Sequence, residues 1–244
     1  HIELSDDLPD DKFTATNGEL DNDPKVSGTI KVEGTATDET RIGLITVQFA
    51  NITSTAAYSS SGWTITNGEG CSLEIPGSVN PTQNGHSVNW ILTVDTSKVV
   101  TDTIAATDQT ITVTVKDASN NTSTASTYKV DIVPYIAKVY TALSKLKKNN
   151  WSVYNRTALG HYSVASNETI YLYGFNLEGA KYSGNPLEEI ADSSVENTAY
   201  PSGSAYAPYK IVKLPASSIT SSGEISITVD GVESLNNKNE NDAY

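Results

Sequence analysis

From Gln109 to Tyr135 the chain reads QTITVTVKDASNNTSTASTYKVDIVPY, two alternating runs about a polar turn. Ile111, Val113 and Val115 fall on one face, with Thr110, Thr112, Thr114 and Lys116 on the other. Tyr128, Val130 and Ile132 alternate in the same way with Thr127, Lys129 and Asp131. Period-two alternation bounded by Asp-Ala-Ser-Asn-Asn predicts a hairpin with one buried face. Pro134 has no N–H to donate and ends the pairing. Upstream, the same signature recurs at Ile30, Val32 and Ala36, at Ile45, Val47 and Phe49, in a short run at Trp63 and Ile65, and at Val88, Trp90, Leu92 and Val94. Short alternating strands separated by Gly, Asn and Asp turns predict a two-sheet sandwich.

Past Pro134 a second set begins. Ile136 and Val139 predict an opening strand, and Ala142–Lys148 one irregular helical turn or a loop. In SNETIYLYGFNLEGAKY, Ile170 and Leu172 face one way and Tyr171, Tyr173 and Phe175 the other, with Gly174 breaking the strand before Asn176. Ile225, Ile227 and Val229 share a face further on. With no long stretch of period 3.6, the chain is expected to be all-β. A length of 244 residues suits two domains with their own cores. The expected division is an acidic lead-in, or the tail of a preceding domain, over 1–21, then sandwiches over 22–133 and 134–244.

Two resemblances sharpen this division. VSGTIKVEGTATDET–RIGLITVQF, NWILTVDTS and KDASNNTSTASTYKVDIVP resemble the bacterial immunoglobulin-like (Big-type) repeats of cell-surface proteins. Those repeats carry a V-x-G-x-A-x-D strand and a D-x-x-G-N-x-S/T turn before V-x-V-D and a proline. Asp117, Asn121 and Thr122 match the turn, and Asn120 stands where Gly is usual. Asn enters the left-handed conformation more readily than other non-glycine residues, so the turn survives the change. The order E-T-I-Y-L-Y-G-F-N-L resembles IPT/TIG immunoglobulin-like domains, with Glu168 in place of a usual Gly. Two long inserts, Ser144–Ser166 and Ser183–Ala207, depart from that family, and long loops on a rigid scaffold are where binding resides. The resemblances imply two immunoglobulin-like β-sandwich domains in tandem and an extracellular or cell-surface address.

Charge changes the range of partners. The net charge is −13, with 18 acidic against 7 basic residues over 1–133 and 11 against 9 over 134–244. Such a surface repels phosphate, so nucleic acid is not an expected partner. Lys145, Lys147 and Lys148 form a basic cluster and read as a solvated turn. No apolar run reaches membrane-spanning length. The chain holds no Met, which reads as an interior or processed piece of something longer. Its single cysteine excludes an internal disulfide; Cys71, beside Gly68 and Gly70, reads as a chance thiol in a loop.

Candidate chemistry is sparse. His86 and His161 are isolated, there is no G-x-S-x-G elbow and no phosphate-cradling glycine motif, and clustered zinc ligands are lacking. Glu188, Glu189 and Asp192 read as a solvated loop rather than a glycosidase pair, which must flank a rigid cleft. Carboxylates are dense over residues 1–24. They read either as a solvated lead-in or as a calcium site, since carboxylates suit a hard cation; the expected ligands are Asp21, Asp23, Asp38 and Asp117. Lys31 and Lys129 are the donors available for a Lys–Asn isopeptide link, for which no flanking motif is present. Tyrosine concentrates after residue 134. Trp151, Tyr154, Tyr171, Tyr173, Tyr206 and Tyr209 are the candidate ligand-binding aromatics, against the alternative that they brace the sandwich.

The expected function is a non-catalytic stalk or adhesion module of a larger bacterial surface protein. Its partners are expected to be neighbouring domains of the same parent chain and a host or cell-surface glycan or protein. The alternative is a carbohydrate-binding module attached to a secreted polysaccharide-active enzyme. Pro134, with no Gly or Ser tether beside it, predicts a stiff, nearly in-line junction between the sandwiches.

Overall fold

The computed structural model describes residues 2–6, 13–14, 24–39, 41–78, 80–81, 87–100, 103, 105–140, 167–190, 210–220 and 225–236. These residues are all-β, with helical geometry confined to three short 3-10 turns. They divide into two compact units, His1–Asp102 with Ala106–Ile132, and Thr103–Ala105 with Val133–Tyr244.

Among the described residues the first unit holds eleven strands: β1 (Ile2–Asp6), β2 (Phe13–Thr14), β3 (Lys25–Val26), β4 (Thr29–Thr37), β5 (Ile42–Phe49), β6 (Ile52–Ser59), β7 (Gly62–Thr66), β8 (Cys71–Glu74), β9 (Ser87–Asp95), β10 (Ala106–Asp117) and β11 (Ser126–Ile132). One sheet has the order β2-β1-β4-β9-β8, the other β3-β11-β10-β5-β6-β7. Alternation sets the register: in β4, Ile30, Val32 and Ala36 are buried while Lys31, Thr35 and Thr37 are exposed. Full burial of one Val or Ile side chain contributes about 1.5–3 kcal/mol. That exceeds the ~1 kcal/mol span of β-propensities, so burial decides which face turns inward. The core joins Ile30, Trp90 and Leu92 of one sheet to Ile45, Phe49 and Ile111 of the other.

The described residues of the second unit hold nine: β12 (Tyr135–Tyr140), β13 (Thr169–Phe175), β14 (Lys181–Tyr182), β15 (Asn185–Pro186), β16 (Glu188–Glu189), β17 (Lys210–Pro215), β18 (Thr228–Val229), β19 (Val232–Glu233) and β20 (Leu235–Asn236). Its sheets run β16-β17-β13-β12-β20 and β15-β14-β18-β19. Ile136, Ile170, Leu172 and Leu214 from the first meet Ile227 and Val229 from the second in one core. Two hairpins, β14–β15 and β18–β19, turn on Ser183-Gly184 and Asp230-Gly231, all four residues at positive φ. That is the two-residue turn whose twist matches paired strands.

The two units repeat one pairing scheme. β1-β4-β9-β8 has the same order and antiparallel sense as β12-β13-β17-β16, and β11-β10-β5-β6 the same as β19-β18-β14-β15. In each, a strand near the start also pairs in parallel with one near the end, β3 with β11 and β12 with β20.

Several details differ from the sequence reading. Ile2–Asp6, read as part of an acidic lead-in, is a strand paired along β4 from Ile30 to Gly34. Cys71 opens β8 and is buried in the core rather than lying in a loop. Gly174 does not break its strand; it pairs with Lys210 and Ile136, and the chain leaves strand geometry at Asn176, φ 53°. Glu188 and Glu189 are strand residues paired to β17, not loop residues. Ile52–Ser59 forms a full strand that the pattern did not announce.

Candidate functional site

The turn Asp117–Asn121 is built by one carboxylate. Asp117 Oδ1 accepts from Ser119 N and Asn121 N, each at 2.8 Å, and Oδ2 accepts from Asn121 Nδ2 at 2.6 Å. Short acidic side chains close turns in this way by capping backbone N–H groups. Asn120 sits at φ 67°, the left-handed geometry that this turn requires. The neighbouring loop is closed similarly, with Asp38 Oδ1 accepting from Arg41 N at 2.9 Å. Ala118 N donates to Arg41 O at 2.9 Å, which ties the two loops together at one end of the unit.

Asp38 and Asp117 are therefore neighbours in the fold, as a shared cation site needs. Both carboxylates already serve as acceptors in their own turns. Among the described residues no group of three His, Cys, Asp or Glu side chains is placed to hold a metal ion. Asp21 and Asp23 lie outside the described residues, as do His86, His161, Lys145, Lys147, Lys148 and Asp192.

Of the aromatic candidates, Trp151, Tyr154, Tyr206 and Tyr209 lie outside the described residues, as do the insert 144–166 and the later part of the second insert. Tyr171 and Tyr173 are on β13. Tyr171 is half-buried, whereas Tyr173 is only 5% exposed, too little for its ring to stack on a ligand. Phe175 is buried as well, and its ring lies 6.3 Å from that of Tyr135 at 19° between planes. Opposite the core face of β13, this surface is itself packed at its far end.

Glu188 and Glu189 are engaged in cross-strand ion pairs. Lys213 Nζ lies 3.0 Å from Glu188 Oε2, and Lys210 Nζ 2.6 Å from Glu189 Oε1. The hydrogen bond that Lys213 Nζ donates to Glu188, then that carboxylate's charge, raises the Lys213 ammonium above the ordinary lysine range. Lys129 pairs with Asp108 at 2.7 Å, both exposed, and Lys31 is exposed, so neither is a buried amine set against an Asn. Burial, followed by the charge of Asp95, pushes the Cys71 thiol up to about 11. A thiol held neutral is a poor nucleophile. The depression over β4 and β9, lined by Glu33, Thr35, Pro76, Asn89 and Ile91, has Thr35 Oγ1 donating to Asn89 Oδ1 at 2.8 Å.

No helix among the described residues is long and apolar enough to cross a membrane. No protein-family model matches the chain, and a search of curated proteins finds no match.

Proposed function

We propose that the chain is a non-catalytic, tension-bearing spacer: two immunoglobulin-like sandwiches in series within a larger extracellular or cell-surface protein. The observation that carries this reading is a parallel pair in each unit between a strand near its start and the last of its described strands. Asp131 and Ile132 of β11 pair with Lys25 and Val26 of β3, and Tyr135 and Ile136 of β12 with Leu235 and Asn236 of β20. Where a strand near the start runs parallel to the last one, the chain enters a unit at one end and leaves it at the other. That arrangement covers distance with every unit added.

It also decides how load is carried. Tension applied through parallel terminal strands shears their backbone bonds together, whereas tension on an antiparallel pair opened from its end breaks them one at a time. Asp131 N donates to Pro24 O and Leu235 N to Pro134 O, each at 2.9 Å, so each unit has such a pair closed by backbone. The strand order that the two units share, four strands in each of two sheets, supports the immunoglobulin-like assignment.

Stretching single molecules from both ends tests the proposal. Two discrete unfolding events are expected, one per unit. Leu235→Pro removes the donor to Pro134 O and should lower the rupture force of one event while leaving the other unchanged. Smooth extension without rupture would count against a load-bearing role.

A further inference from the structure

Seven of the eight sheet edges among the described strands carry a device that discourages further pairing. β2, β3, β16, β19 and β20 are two residues long, and β3, β16 and β19 also bear charge at Lys25, at Glu188 and Glu189, and at Glu233. β15 contains Pro186, and β8 is four residues ending in Glu74. Short strands, charges and proline are the usual means of blunting an edge. β7 has none of them. It is five residues, Gly-Trp-Thr-Ile-Thr, in unbroken register with β6, and closes the sheet order.

The neutrality extends well beyond that strand. Residues 42–68, spanning β5, β6 and β7, contain no Asp, Glu, Lys, Arg or His, in a chain of net charge −13. Thr64, Ile65 and Thr66 are exposed, and Ile65, at 39%, is the exposed large hydrophobic residue among those described. Beside it the rings of Tyr58 and Trp63 pack 5.2 Å apart at 60°. The edge is thus uncharged, apolar in part and rich in β-branched residues.

We infer that the β7 edge is a self-association site, at which a second copy of this chain adds its own β7 antiparallel across a two-fold axis. Charge selects the occupant. Two copies of a −13 chain repel over most of their surface, and this edge lets two backbones meet without setting like charges against each other. An antiparallel pair of identical strands is self-complementary, as a closed dimer requires. Five residues a side bury far less than a standard interface, so the contact is weak in solution and becomes effective where copies are held together on a surface.

Sedimentation of the 244-residue chain from about 1 μM to about 1 mM, the range of weak contacts, reads this directly. A reversible monomer–dimer equilibrium is expected. With the axis through Thr64, each Thr64 faces its own copy, so Thr64→Lys and Thr64→Glu should each weaken the dimer by roughly tenfold or more. Mixing the two variants should restore association as a heterodimer, which also shows that both are folded. A monomer at every concentration, a dimer unaffected by either substitution, or no recovery on mixing overturns the proposal. Binding of β7 to an extended peptide alone, without self-association, overturns it in favour of a different partner.

Discussion

Gly34 leaves the space that the indole of Trp90 fills. The two residues face each other across β4 and β9, and a Cβ on Gly34 would stand 2.6 Å from Trp90 Cε2 and 3.0 Å from Nε1. Trp90 is 2% exposed and packed from both sheets, so the ring has nowhere to retreat. Gly34→Ala is therefore expected to destabilise the first unit by about 1–3 kcal/mol, the usual cost of overpacking. Trp90→Phe should cost stability alone, yet the double variant should lose less than the sum, because the smaller ring vacates the contested space. Additive losses in thermal melts would show that the two positions do not share it.

Cys71 offers a readout of core integrity. Its thiol is pushed from 9.0 up to about 11 by burial and by Asp95. Native protein at pH 8 should react slowly with iodoacetamide and denatured protein quickly. Below about pH 9 the thiol is protonated in both states and its contribution is full. Between 9 and about 11 the unfolded chain releases this proton first, so stability should fall as pH rises. Cys71→Val should flatten that part of the profile, and an unchanged slope would assign it to other groups.

The turn at Asp117 rests on one carboxylate and one unusual backbone angle. Asp117→Ala removes an acceptor used by three donors and should cost about 1–2 kcal/mol, as loss of a capping side chain does. Asn120→Gly should be neutral or slightly stabilising at φ 67°, and Asn120→Val should cost about 1–3 kcal/mol there. Melts in chelator and in millimolar calcium examine the neighbouring Asp38. Stabilisation by calcium that disappears in Asp117→Ala marks a shared cation site, and an unmoved Tm removes it.

Alternation made β4, β5, β9 and β11 legible, since each buries one face along most of its length, and β10 through its buried Ile111 and Val113. β6 escaped because its buried positions are small: Ser54 and Ala56 are both fully buried, and Ser54 Oγ accepts from Gly68 N. A hydrophobic count does not register a strand whose inward residues are Ser and Ala. Cys71 misled through its flanking glycines, which suggest a loop although β8 begins there. Tyr173 and Phe175 misled in another way: alternation identifies one buried face, and this strand buries both at its far end. The edge at β7 was not read from the sequence: residues 42–68 carry no charge, but exposure depends on which strand ends the sheet. Strand order follows from long-range pairing, which no local pattern encodes.

Each unit is proposed to carry tension through a parallel pair between an early strand and its last described strand, and the direction of pulling tests this. One measurement stretches the chain from its ends. The other stretches it through handles at Asp108 and Lys129, exposed residues on the adjacent antiparallel strands β10 and β11. The first direction shears the β3–β11 pair, and the second opens a ladder bond by bond. A distinctly higher rupture force is expected for the first unit when it is pulled from the ends. Equal forces, or a lower force from the ends, would contradict it.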